Sequence, residues 1–125
     1  MKITPSKINS FMLFKLPLAY LGGVRAVSFD EKLAIVKIKH RWINQNPFKS
    51  MFWAAQGMAA ELSTGVLVMK GIENSGKNVS MLVTHQNGSF TKKATGKIRF
   101  ECHDGDLVSN AIEACFFWCV KSMLH

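Results

Sequence analysis

The feature that most constrains this chain is an uninterrupted apolar stretch near its middle, from Ser50 to Met69. It reads SMFWAAQGMAAELSTGVLVM, with no proline and a single charged residue, Glu61. Ser50 is a favourable N-cap, so the pattern predicts a helix over residues 50–70. At roughly 1.5 Å per residue such a helix is about 30 Å long, the width of a small domain. We therefore expect it to run through the fold and to be buried.

The length of this stretch also fits a membrane span, which is the main alternative for it. Polar side chains near its middle would be costly in lipid, and the flanking sequence has the alternation of a sheet; the polar positions are Gln56, Glu61, Ser63 and Thr64. These features favour a helix buried in a protein core.

The length, composition and charge of the chain limit the number of domains and the kind of partner that it can have. A chain of 125 residues has room for one domain, residues 1–125. Hydrophobic residues make up 48% and charged residues 19%, which excludes a disordered chain. With 16 Lys and Arg against 8 Asp and Glu the net charge is +8, which favours a polyanionic partner. Nucleic acid, an acidic membrane surface and a phosphorylated ligand remain open at this point.

The segments around the central helix alternate like helix flanks and sheet strands. Residues 1–22 form an N-terminal flank with a helix from Ser6 to about Leu21, and residues 106–123 form a helical C-terminal segment. Between them the patterns predict four strands, at Val24–Ser28, Leu33–His40, Val79–His85 and Lys97–Cys102. The chain is therefore expected to belong to the α+β class.

The number of cysteines bears on the cellular compartment, and the positions of the histidines argue against a metal site. Three cysteines are too few for a disulfide framework and favour a reducing cytoplasm. The N-terminus has the outline of a signal peptide, but Lys15 and Pro17 interrupt its apolar run, so we expect no secretion. The histidines have no spacing typical of metal ligands; they are His40, His85, His103 and His125.

Three segments resemble an uncharacterised, thioesterase-like family of hotdog proteins. The first two are KHRWINQNPFKS, residues 39–50, and AAELSTG, residues 59–65, in which a basic strand and a turn lead into a helix carrying an acid. The third is FTKKATGK, residues 90–97. The likeness covers roughly Met1 to Ile112.

The resemblance implies a hotdog fold, in which an antiparallel sheet wraps around one long central helix. It also implies a homodimer or higher homo-oligomer and hydrolysis of an acyl-CoA or acyl-carrier thioester, with the acyl group at the dimer interface. Two departures stand out. Phe52 lies nine positions before Glu61, where active relatives in the wider superfamily place a histidine, and the helical tail leaves the C-terminal edge of the sheet incomplete.

Glu61 is the predicted base or nucleophile, because an isolated carboxylate in so apolar a helix must be paired, hydrogen-bonded or neutralised. Asn46 is the second predicted catalytic residue, in a turn that supplies oxyanion donors at the helix start. The predicted substrate-binding residues surround them: Asn44, Ser50, Phe52, Trp53, Gly57, Thr64, Gly65, Lys92 and Lys93.

Each assignment has a structural alternative. Glu61 can bond to a loop amide or to Arg41, the asparagines can simply shape the turn, and the lysines can belong to a solvated sheet face. Two other functions therefore stay open beside the thioesterase. One is an acyl- or CoA-binding hotdog protein without chemistry, and the other is a basic nucleic-acid-binding protein, which the net charge alone suggests. No resident cofactor is expected, since coenzyme A would arrive as part of the substrate.

Overall fold

The computed structural model describes residues 3–76, 79–81, 83 and 85–115. The elements are α1 (Pro5–Lys15), α2 (Pro17–Leu21), β1 (Arg25–Phe29), β2 (Ala34–Lys39), a 3-10 turn (Trp42–Asn44), α3 (Trp53–Ser75), β3 (Lys97–Cys102) and α4 (Gly105–Cys115). The fold is thus α+β, with a three-stranded sheet and one long helix, and it is consistent with a hotdog-like arrangement.

The sheet is antiparallel in the order β1-β2-β3, so β2 is its central strand. Three of the four predicted strands are confirmed within one or two residues. Side chains alternate across β2 as the period of two requires: Val36 and Ile38 are buried, whereas Lys37 is exposed. Lys37 pairs with Arg99 of β3, which gives the sheet a basic outer face.

Helix α3 packs on the inner face of this sheet. Ala55 and Ala59 are buried in one cluster with Val36 and Ile38, and their small side chains let the helix approach the strands closely. Met12 of α1 belongs to the same cluster. One side of the long helix is therefore buried against the sheet, as predicted. The described sheet does not cover its opposite side.

The N-terminal flank consists of two helices where the sequence predicts one. Pro17 disfavours helical geometry at the residue before it, so α1 ends at Lys15 and Leu16 has the non-helical angles φ −131° and ψ 58°. Asn9 of α1 fastens this flank to the sheet: its side chain donates to the carbonyl of Ala26 at 3.2 Å and accepts from the Ala26 amide at 2.8 Å. The edge of β1 is thereby partly covered.

Helix α3 is shifted toward the C-terminus relative to the predicted range 50–70. Ser50 is not its N-cap, because the Ser50 hydroxyl bonds to the Asn46 side chain and Lys49 has a left-handed φ of 63°. The helix continues beyond its predicted end at residue 70 and includes Gly71, where the absent side chain leaves room for Ile112 of α4. It ends at Gly76, whose φ of 68° is the usual left-handed C-terminal conformation.

The hairpin between β1 and β2 is held by Asp30. The amides of Lys32 and Leu33 donate to its carboxylate at 2.7 and 2.9 Å, and these bonds lower the pKa of Asp30 below its ordinary value. Such a stabilisation is present near neutral pH and is lost as the pH falls through the folded-state pKa. Gly105, at the start of α4, touches this hairpin so closely that a Cβ there would collide with the backbone of Glu31 and Lys32.

Two predicted elements, the strand Val79–His85 and the helix over residues 106–123, differ from the observed structure. In Val79–His85 the described residues 79–81, 83 and 85 form no strand, and Val79, Met81, Val83 and His85 line cavities beside α3. The predicted helix over 106–123 is observed as α4 up to Cys115, and its remainder lies outside the described residues. Among the described helices, none combines the length and apolar character that crossing a bilayer requires.

Candidate functional site

An apolar groove lies between α3 and the N-terminal flank. Its volume is about 580 Å³, within the range of small-molecule sites. Charged groups on its described walls are limited to Glu61 and Lys15. The rest of the wall is mainly aliphatic and sulfur-containing, and its members include Met12, Leu16, Met58, Leu62, Met69 and Ile72. Such a groove can hold a flexible hydrocarbon chain.

A second, more polar cavity of about 450 Å³ also borders α3, at Ala60, Glu61, Thr64 and Val68. Glu61, Thr64, His85, Asn87 and Asp104 bring hydroxyl, imidazole, amide and carboxylate groups to its wall. Glu61 also borders the apolar groove, together with Val68 and Met81. The carboxylate therefore stands where a polar space and an apolar space adjoin.

The expected environment of Glu61 is wrong in one respect. The prediction requires its carboxylate to be paired, hydrogen-bonded or neutralised within an apolar helix, whereas the side chain is exposed in the single chain. Within the part of the chain that the structure describes, no hydrogen bond or ion pair engages it, and Arg41 lies instead against Gly23. The physical reason is that the sheet covers the Ala55–Ala59 side of α3, and Glu61 is on another side.

Trp53, Gly57, Glu61 and Gly65 recur every four residues and therefore lie along one side of α3, but the two glycines differ. A Cβ built on Gly57 would meet the Trp53 ring at 2.9 Å, so the space beside Gly57 is already filled. Among the described residues, a Cβ on Gly65 would meet the Met81 methyl alone, at 3.8 Å. Gly65 therefore gives room to the apolar groove, which it lines, and Gly57 gives room to an indole.

Asn44 has a structural role. It is 3% exposed, and its side chain donates to the carbonyls of Gly22 and Lys39, both at 2.9 Å, while accepting from the Arg41 amide at 2.8 Å. These bonds join the N-terminal flank, the end of β2 and the 3-10 turn. With both ends of its amide engaged, Asn44 has little capacity left for a ligand.

Asn46 and Ser50 brace the loop that precedes α3. The Asn46 side chain donates to the Ser50 hydroxyl at 2.9 Å and accepts from the Phe48 amide at 2.8 Å. A bridge between Gln45 and Met51 closes the same loop. Trp53, where α3 starts, is eight residues before Glu61, about 12 Å along the helix, so the loop does not contribute to either cavity.

The predicted site residues thus fall into two groups. Glu61, Thr64 and Gly65 line the two cavities. The others lie in or near the loop before α3: Asn44, Asn46, Ser50, Phe52, Trp53, Gly57, Lys92 and Lys93. Lys93 is joined to this loop by a bond to the Phe48 carbonyl at 3.1 Å. Lys97 and Arg99 lie on the outer face of the sheet. The catalytic role of Asn46 and the substrate-binding roles of the other residues in the second group stay predictions.

The sequence patterns missed five polar residues that border the cavities, namely Lys15, His85, Gln86, Asn87 and Asp104. His85 and Asp104 lie in irregular segments, where periodicity gives no direction to a side chain. Lys15 has a partial signal, since it interrupts an otherwise apolar helix face. Among the described residues, no group of three His, Cys, Asp or Glu is arranged to hold a metal ion.

Comparison with other proteins places the chain in a family. The solved structure of the protein OLEI01261, of unknown function, from Chlorobaculum tepidum TLS is similar with a TM-score of 0.76 at 21% identity. The match covers 91% of this chain and 73% of that one, and at this identity it supports the fold alone. No curated protein matches the chain. Residues 6–120 match the family described as domain of unknown function DUF4442. The chain therefore belongs to the DUF4442 family.

Proposed function

We propose that this protein binds acyl thioesters of the acyl-CoA or acyl-carrier type and hydrolyses them with Glu61. The observation that carries the proposal is the position of Glu61, the one carboxylate on the described wall of the apolar groove and also part of the polar cavity. A thioester with its chain in the groove would present its carbonyl at this junction. The resemblance to hotdog thioesterases supports the same substrate class.

The apolar groove would supply most of the binding free energy. Burying a methylene group contributes about 0.8 kcal/mol, so each added pair of methylenes tightens binding by roughly tenfold until the groove is full. Lys15, on the groove wall, is placed to attract a carboxylate or phosphate near the chain. Affinity should therefore depend on chain length more than on the CoA portion.

Glu61 would act as a general base on water held in the polar cavity. The carboxylate takes a proton from water, the oxygen bonds to the carbonyl carbon, and collapse of the tetrahedral intermediate breaks the carbon–sulfur bond. The proton returns to the leaving thiolate, so the products are a free thiol and a fatty acid. His85 and Asn87, on the same cavity wall, offer N–H donors for the developing oxyanion.

Thiol release from acyl-CoAs of increasing chain length tests this function. We expect turnover to rise with chain length and then level off. Gly65→Leu should fill the groove, because Met81 is the one described side chain within 4 Å of that position, and should raise KM for the longest chains by about tenfold. The shortest acyl-CoA is the internal control, since its chain does not reach the added side chain. Absence of thiol release for every chain length would refute hydrolysis.

A second candidate function is acyl binding without chemistry. The exposed Glu61 carboxylate, which no described residue orients, and Phe52 in place of the superfamily histidine both favour it. This candidate predicts chain-length-dependent binding of acyl-CoA, competitive with free fatty acid, and no thiol release. The two functions thus share the groove and differ only in turnover.

A further inference from the structure

The loop before α3 exposes an unusual number of aromatic side chains. We call residues 41–53 the aromatic loop. Trp42 is 83% exposed, Phe48 71%, Trp53 59% and Phe52 52%. Large aromatic side chains are normally among the more buried residues, so four within one short loop are unusual. Inward positions of the loop are taken by Asn44, Ser50 and Met51, which are all buried. The aromatic rings therefore occupy its outer surface.

The aromatic loop is also basic. Arg41 and Lys49 are exposed within it, and its sequence contains no acidic residue. Lys93 is bonded to the Phe48 carbonyl at 3.1 Å, so Lys93 and the adjacent Lys92 add two cations at the edge of the same surface. The segment Phe90–Lys97 likewise contains no acid. Among the described residues, none of these four cations, Arg41, Lys49, Lys92 and Lys93, forms an ion pair, so the surface that carries the exposed rings is basic.

The loop is held in shape before any partner arrives. Its backbone is closed by the Gln45–Met51 bridge and by the bond from the Phe52 amide to the Asn44 carbonyl at 2.7 Å. A bond from the Met51 amide to the Ala94 carbonyl at 2.8 Å ties it to the lysine-bearing segment. The aromatic loop and the lysine-bearing segment are therefore ordered before docking, so docking would cost little conformational entropy.

We propose that the aromatic loop docks this protein on an anionic lipid bilayer. Trp and Phe rings partition into the headgroup region, and lysines beside them are attracted to the negative surface, which is the combination seen here. A site for single-stranded nucleic acid also combines cations with exposed aromatic rings, but it would leave the protein unbound to lipid vesicles. The proposal is independent of the proposed function.

Sedimentation with lipid vesicles tests the proposal. We expect the full chain to bind vesicles of phosphatidylcholine with 30% phosphatidylserine, the fraction chosen as roughly that of a strongly anionic membrane, and to bind pure phosphatidylcholine at least about tenfold more weakly. Trp42→Ala with Phe48→Ala should lower the partition coefficient by about tenfold or more, because the lost ring area no longer inserts. Lys92→Ala with Lys93→Ala should lower it by at least about fivefold and reduce its salt dependence.

Matched controls separate docking from general effects. Leu107→Ala removes a side chain that is 66% exposed on α4, which packs near the other end of α3, and Lys37→Ala with Arg99→Ala removes the same charge from the outer sheet face. Both controls should bind vesicles like the parent chain, and thermal unfolding should confirm that all variants fold.

Three outcomes would overturn the proposal. The first is equal binding to neutral and anionic vesicles, or no binding at all. The second is equal loss in the control variants. The third is that the double variant Trp42→Ala with Phe48→Ala changes the molecular mass of the protein in solution but not its binding to vesicles. The loop would then be a contact between copies of this chain.

Discussion

Replacing Glu61 by glutamine should lower kcat for thioester hydrolysis by about 10²–10⁴-fold, the contribution usual for a positioned general base. Glutamine has nearly the same size and keeps the groove wall intact, but it cannot take a proton from water. Because the acyl chain is bound by apolar residues, KM should change by no more than about twofold. The measurement is steady-state thiol release with the longest acyl-CoA that the parent chain cleaves.

Glu73→Gln is the matched control for this substitution. Glu73 lies on the same helix, three residues from Lys70 and 4.0 Å from its amine, and it borders neither of the two cavities at Glu61. Its loss removes the same charge from α3 and should leave kcat within about twofold. If Glu61→Gln and Glu73→Gln had the same activity, Glu61 would have no catalytic role, and acyl binding without chemistry would be the better account.

Replacing Asn44 by aspartate should lower the free energy of unfolding by about 3–5 kcal/mol at neutral pH. The Asn44 amide donates to the carbonyls of Gly22 and Lys39 in a position that is 3% exposed. A carboxylate there would lose both donors and face two carbonyl oxygens without water. Urea unfolding followed by circular dichroism gives the change directly.

Gln45→Glu provides the control for Asn44→Asp. Gln45 is the exposed neighbour, so the same charge change there should alter the free energy of unfolding by less than about 0.5 kcal/mol. A substrate-binding role for Asn44 predicts the opposite pattern, namely lost acyl-CoA affinity with nearly unchanged stability. That pattern would contradict the structural role assigned to its three hydrogen bonds.

The sheet and the central helix were predictable because their signals are periodic. Alternation along Leu33–His40 and Lys97–Cys102 fixes which side chains face the core, and Val36 and Ile38 are buried as that pattern requires. The apolar stretch likewise predicts α3. Its bounds were not predictable, because Gly71 is kept inside the helix by contact with Ile112, which is distant in sequence.

The site was predictable only in part. Glu61 is conspicuous as a single charge in an apolar helix, yet its exposure depends on which side of α3 the sheet covers, and that is a tertiary property. The asparagines before α3 looked like ligands for a substrate, whereas their amides bond to nearby backbone and side-chain groups. Dimerisation stays a prediction, since it requires a second copy of the chain.

Photo-crosslinking of an acyl-CoA with a diazirine near the end of its chain tests most directly whether the apolar groove holds an acyl chain. The account predicts that the crosslinked peptides, identified by mass spectrometry, contain Met58, Leu62 or Met69, which line the groove. An excess of ordinary acyl-CoA should abolish the crosslinks, and CoA alone should not. Crosslinks confined to Trp42 and Phe48, or crosslinks that acyl-CoA does not compete away, would contradict it.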